Sequence, residues 1–194
     1  VEAWQTLEHL KKLPENDYYY FFVGSTIVYS FLLSGDYEEG LRIAEKFCDE
    51  AKKKKSVFGT TTMLNSMAGA YYKLNRYGEA ETIYKEIITF YEDVPFSIIS
   101  LAYENLIDML IKRDNFASAL EECKKFEERL GYSEKYSGFA KSSFKDVWFT
   151  NKTSYADVYL QLGEYSLSEE YLIQAELYPL ASTVIGKYYI ETIR

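Results

Sequence analysis

The chain has 194 residues and a net charge of −8; it is 47% hydrophobic and 18% aromatic, with only 3 Pro and 10 Gly. That is enough for one sizeable, helix-rich domain with a continuous core and no long linkers. The acidic balance argues against binding the phosphates of nucleic acid, which needs clustered Lys and Arg, and no run of about 18 apolar residues is present to insert into a membrane.

In chain order, residues 2–13 place Trp4, Leu7, Leu10 and Leu13 on one helical face, and Pro14 stops that helix. A heavily aromatic helix is predicted over 18–33. Asp36 and Glu39 have capping-box spacing for the next helix, which runs to the lysines at 52–55, where positive charge complements the helix dipole. Helices follow over 60–74 and 77–91. Pro95 suits the first turn of a helix reaching Lys112, and Asn115 caps a partner that ends before Gly131. Residues 131–146 are expected to form a lengthened loop with a helical second half. Helices over 147–162 and 165–177 come next, and Pro179 opens a last one through Ile193.

These helices repeat in pairs. Four turn aromatics, Tyr37, Tyr77, Phe116 and Tyr165, serve as anchors. Two residues before each stands Gly35, Asn75, Asp114 or Gly163, types that tolerate a helix-ending turn. Three residues after each stands a small residue, Gly40, Ala80, Ala119 or Ser168. Six before stands Phe31, Tyr71, Leu110 or Tyr159, and ten before stands Ile27, Met67, Leu106 or Tyr155. The anchors lie 40, 39 and 49 residues apart.

The pattern resembles the tetratricopeptide repeat family. Its large apolar residue, small residue, Tyr, Gly-x-Tyr turn and Ala are carried by Met67, Ala68, Tyr71, Asn75, Tyr77 and Ala80. Gly35-Asp36-Tyr37 and Gly163-Glu164-Tyr165 match the turn more closely. The unit here is longer than the family's roughly 34 residues. HEAT-type repeats share the longer period but do not explain the Gly-x-Tyr turn. The resemblance implies an all-α fold, a right-handed superhelix of stacked helical hairpins, as one array over residues 1–194. Repeats are expected at 17–55, 57–92, 95–130 and 147–177. A lone second helix at 1–14 precedes them and a lone first helix at 179–193 follows, so the chain is expected to be a segment of a longer array or multidomain protein.

Catalytic motifs are missing. There is one histidine, His9, which reads as a polar-face residue. Cys48 and Cys123 read as buried thiols in different repeats, and they offer no CxxC. No phosphate-binding glycine loop, GxSxG or HExxH occurs. No enzyme activity, cofactor or metal is expected. Asn151-Lys152-Thr153 matches a glycosylation triplet to which no weight is attached.

In the family, first helices line a concave face. Transferring its inward template positions gives Phe22, Ser25, Thr26, Tyr29 and Leu32 in the first complete repeat, and Thr62, Asn65, Ser66, Gly69 and Tyr72 in the second. The third gives Leu101, Glu104, Asn105, Asp108 and Ile111, and the fourth gives Thr150, Thr153, Ser154, Asp157 and Leu160. The partner-binding candidates are Tyr29, Asn65, Tyr72, Glu104, Asn105, Asp108, Thr153 and Asp157. An Asn side chain both donates and accepts, as recognition of a peptide bond requires. The carboxylates favour a neutral or basic protein or peptide over an acidic one, and a homodimer is a further partner to be expected. The expected role is a non-catalytic interaction scaffold, the sensory or regulatory domain of a bacterial signal-transduction protein of sensor-kinase type. The alternative is a cytoplasmic receptor for a short signalling peptide. The compartment, periplasmic face or cytoplasm, stays open.

Overall fold

The computed structural model of the chain describes residues 2–10, 17–90, 96–136 and 145–194. Among these residues every regular element is a helix and no strand occurs. The chain divides into two compact units, Val1–Ala102 and Tyr103–Arg194.

The first unit holds α1 (Glu2–Leu10), α2 (Asp17–Ser34), α3 (Tyr37–Lys53), α4 (Val57–Lys73), α5 (Tyr77–Phe90) and the opening of α6 (Phe96–Lys112). Consecutive helices from α1 to α5 pack on one another, and α2 also packs on α4, the next first helix. The sequence of α3 explains its placement: Leu41, Ala44, Phe47, Cys48 and Ala51 recur at helical spacing and are buried, while the charged residues between them face water. Small residues set the helix separation. A Cβ on Gly59 would lie 2.4 Å from the Phe21 ring, so α4 can meet α2 this closely only at a glycine.

The second unit holds the remainder of α6, then α7 (Phe116–Tyr136), α8 (Lys145–Gln161), α9 (Tyr165–Glu176), a 3-10 turn (Pro179–Ser182) and α10 (Val184–Ile193). α8 packs on α7 and α9, and α10 and the 3-10 turn pack on α8. Phe149, Ala156, Leu172, Ala175, Ala181 and Ile190 form its core at this end. Ser168, at the small position of the repeat, donates its hydroxyl to the Ala156 carbonyl at 2.8 Å and joins α9 to α8.

The repeated turn has one geometry. Gly35, Asn75, Asp114 and Gly163 all have positive φ, at 85°, 60°, 55° and 77°. The amide one residue later reaches back five residues, from Asp36 to the Phe31 carbonyl, Arg76 to Tyr71, Asn115 to Leu110 and Glu164 to Tyr159. This is a left-handed helix stop that satisfies the orphan carbonyls. The acceptors are the large residues that stand six before each turn aromatic.

Several sequence expectations are corrected. Asp36 makes no side-chain capping bond, and Glu39 instead takes the Arg42 guanidinium at 2.5 and 2.7 Å. α4 begins at Val57, ahead of Thr60, because the Ser56 hydroxyl accepts from the Gly59 amide. α7 does not stop before Gly131 but continues to Tyr136. A Gly in an exposed helix costs only about 1 kcal/mol against Ala, too little to end a long helix. Helix therefore occupies the first part of the 131–146 stretch, and residues 137–144 lie outside the described residues, as do Pro14 and Pro95. Pro179 opens a 3-10 turn; Thr183 then caps α10, its hydroxyl accepting from the Gly186 amide at 3.0 Å.

Candidate partner-binding surface

In the first unit, α2, α4 and the start of α6 border an open trough of about 270 Å³. α2 contributes Ser25, Thr26 and Tyr29, α4 contributes Thr62, Asn65 and Ser66, and α6 contributes Ile98 and Leu101. Among the described residues no charged side chain lines it. Tyr29 is 60% exposed, so its ring is available. Other exposed aromatic rings lie on α2: Tyr18 stacks on the half-buried Phe58 of α4 at 4.3 Å and lies parallel to Phe22 at 6.4 Å.

Three hydroxyls in the trough are engaged with their own helices. Ser25 and Thr26 both donate to the Phe22 carbonyl, at 2.7 and 3.0 Å, and Ser66 donates to the Thr62 carbonyl at 3.1 Å. This back-bonding is the habit of Ser and Thr inside helices. The Thr62 hydroxyl is buried and has no hydrogen-bond partner among the described residues.

Sequence transfer named Tyr29 and Asn65, and the structure brings both to this trough. Ile98 was missed; it stands one helical turn before Leu101, and that spacing could have found it. Tyr72 does not line the trough. It is half-buried, its ring 5.8 Å from that of Tyr77, with the Lys73 ammonium 5.6 Å above it.

In the second unit Glu104 and Asn105 are half-buried on α6. Burial pushes the Glu104 carboxyl up to about 7. Asp108 is exposed and pairs with Lys112 at 2.7 Å. Asp157 is half-buried; burial raises its pKa, with a lesser contribution from Asp108, against the hydrogen bond from Gln161 and the charge of Lys112. Thr153 differs from expectation. It is buried, and its hydroxyl donates to the Thr150 carbonyl at 3.0 Å. The physical reason is that α8 is covered around most of its circumference, with Asn151, Lys152, Thr153, Tyr155, Ala156 and Val158 all buried.

Sequence reasoning also missed a polar cluster inside this unit. Lys152 is buried, and its ammonium lies 2.6 Å from Glu127, which also accepts from the Tyr155 hydroxyl. Asn151 is fully buried and donates to the Cys123 carbonyl at 3.1 Å. The Asn-Lys-Thr triplet is thus spent on packing. Among the described residues no group of His, Cys, Asp and Glu could hold a metal, and no helix is long and apolar enough to cross a membrane.

Helices paired by a recurring left-handed stop, with an open trough along first helices, define a helical-repeat interaction scaffold. The tetratricopeptide repeat model matches residues 60–94, which cover the body of α4, its Asn75 turn and α5, so this stretch is similar to a tetratricopeptide repeat. Members of that family are in general non-catalytic interaction modules. No curated protein matches the chain.

Proposed function

We propose that the chain is a non-catalytic scaffold that receives a neutral or basic segment of another protein, or a short peptide, on its first helices. The observation that carries this is the trough beside Tyr29 and Asn65, whose described lining residues carry no charge. The second unit has a partner surface of its own, on which Asn105 lies with Glu104, Asp108 and Asp157 and which disfavours acidic segments. Tyr72 adds an aromatic contact at the end of α4.

We place the scaffold in a bacterial signal-transduction protein, as a sensory or regulatory domain of the sensor-kinase kind. Support comes from the repeat length near 40 residues and the tyrosine-rich first helix, in which the array resembles such domains. A receptor for a short signalling peptide is the second reading, favoured by the small, neutral trough. A membrane-spanning helix and kinase core encoded in the same gene support the first. A helix-turn-helix in the same gene supports the second.

The test is a thermal-shift screen with basic and neutral peptides. Wild type is expected to shift upward, and an Asn65→Ala/Asn105→Ala variant is expected to shift less. No shift, or equal shifts in both proteins, would remove the proposal.

A further inference from the structure

We propose that one end of the first unit adheres to a membrane surface: the exposed rings of Tyr18, Tyr19 and Phe22 and the ammonium groups of Lys52, Lys53 and Lys55 together fit the headgroup layer of an anionic bilayer. This goes beyond the peptide reading, uses none of the residues that line the trough, and does not depend on it.

The aromatic half lies at the start of α2. Single exposed apolar side chains need no explanation, but a cluster of them does. Tyr18, Tyr19 and Phe22 are each more than half exposed. They are held as a group. Tyr18 lies edge-on to Tyr19 at 5.4 Å, parallel to Phe22 at 6.4 Å, and on the half-buried Phe58 of α4 at 4.3 Å. Rings already ordered in this way lose little further freedom when a partner covers them.

The basic half lies at the end of α3. Lys52, Lys53, Lys54 and Lys55 are all exposed. Lys54 joins the two halves: its ammonium pairs with Asp17 at the start of α2, at 2.7 Å, and lies 5.2 Å from the centre of the Tyr20 ring. Lys52, Lys53 and Lys55 form no ion pair among the described residues. The other carboxylates near this end stand back from it. Glu50 accepts the Tyr20 hydroxyl at 2.8 Å, Asp49 precedes Glu50 on α3, and Glu8 faces Tyr20 from α1. The outermost charges are therefore the lysines.

Lys55 is the second observation. Its φ is 56°, a left-handed conformation that strains a lysine. Among the described residues the others with positive φ are Gly, Asn or Asp, which accept it more readily. A lysine kept at this turn, beside three more, trades backbone comfort for charge.

The partner follows from the two halves together. Tyrosine rings are favoured at headgroup level, and lysines beside them are drawn to anionic lipid. An acidic peptide would answer the lysines and leave the rings in water. The chain carries a net charge of −8, so an anionic surface repels it in most orientations. Only an end with outward lysines can approach, which fixes how the unit would sit. No helix needs to cross the bilayer.

The test sediments the full chain with vesicles of phosphatidylcholine alone and of phosphatidylcholine mixed with one-third phosphatidylserine, at low and high salt. Immobilised polyglutamate forms a separate arm. The variants are Lys52→Gln/Lys53→Gln/Lys55→Gln and Tyr19→Ser/Phe22→Ser. Lys85→Gln/Lys124→Gln/Lys187→Gln, at exposed lysines elsewhere, is the control with the same change in net charge. Wild type and control should bind the anionic vesicles alike, and high salt should weaken both. The lysine variant should lose on the order of a hundredfold in affinity and the aromatic variant about tenfold. Lys55→Asn relieves the left-handed turn, so it should melt no lower than wild type yet bind about fivefold more weakly, which separates lost adhesion from lost folding. Equal binding to neutral and anionic vesicles, binding to neither, or undiminished binding by the lysine variant overturns the proposal. So does retention on polyglutamate without vesicle binding, which would assign this end to an acidic protein.

Discussion

Lys152 Nζ lies 2.6 Å from Glu127 Oε1, an ammonium on α8 whose side chain is only 9% exposed held by a carboxylate on α7. The ammonium also lies over the rings of Trp148, Tyr155 and Tyr171, at 5.5, 5.5 and 5.3 Å. Breaking a buried pair from one side leaves an uncompensated charge, whereas replacing both partners by apolar residues is far milder. Glu127→Ala also strands the Tyr155 hydroxyl. We expect Glu127→Ala to destabilise the chain by about 2–4 kcal/mol and Glu127→Leu/Lys152→Met by less than either single change. Urea unfolding in a double-mutant cycle checks this. Single-variant losses under about 0.5 kcal/mol would mean that water already screens the pair.

Glu104 links stability to pH. Its folded pKa is raised from 4.5 to about 7 by burial. A carboxyl with a raised pKa binds more protons folded than unfolded between those values, so its contribution is most favourable below 4.5 and is lost as pH rises through 7. Across that window the loss is on the order of 3 kcal/mol at most. Glu104→Gln should remove that slope, so that its stability relative to wild type improves from pH 4.5 to pH 8. Parallel curves for the two proteins would show that the carboxyl is solvated.

Two glycines on helices should respond in opposite directions. A Cβ on Gly186 would lie 2.0 Å from the Leu180 carbonyl oxygen, where the 3-10 turn folds back on α10. Backbone cannot step aside cheaply, so Gly186→Ala should cost about 1–3 kcal/mol. Among the described residues nothing lies within 4 Å of the Cβ position of Gly131 inside α7. Gly131→Ala should therefore stabilise by about 0.5–1 kcal/mol. Thermal melts of the two variants decide both.

The cysteines should be unreactive until the chain unfolds. Cys123 is fully buried, and burial, followed by the charges of Glu122, Glu127 and Asp157, holds its thiol far above the ordinary range. Cys48 is buried and raised in the same direction, again chiefly by burial. Since the thiolate is the reactive form, labelling by a thiol reagent at pH 8 should be slow in buffer and complete in denaturant. Fast labelling of one thiol under native conditions would contradict the packing of α3 or α7.

The helix-pair architecture was legible because it depends on local chemistry. Gly35, Asn75, Asp114 and Gly163 are residues that accept a left-handed backbone, and all four adopt it. Lys55 adopts the same conformation at φ 56°, with no such marker in its side chain, so that turn could only be placed by its flanking helices. The end of α7 was illegible for a related reason: a single Gly weakens a helix without stopping it.

By itself the sequence determined that helices come in pairs, where most of them turn, and which small residues lie between them, since each rests on spacing along one chain. Only the tertiary structure decided which template positions remain open. Tyr29 and Asn65 border a trough, while Thr153, placed by the same template, is buried, because accessibility depends on which neighbours cover a face. It also decided that Ser25, Thr26 and Ser66 donate to carbonyls of their own helices and that Lys152 is held inside by Glu127. Hydrogen-bond direction and charge pairing are properties of atoms brought together in space, and residues 25 apart in sequence, such as Glu127 and Lys152, carry no local sign that they will meet.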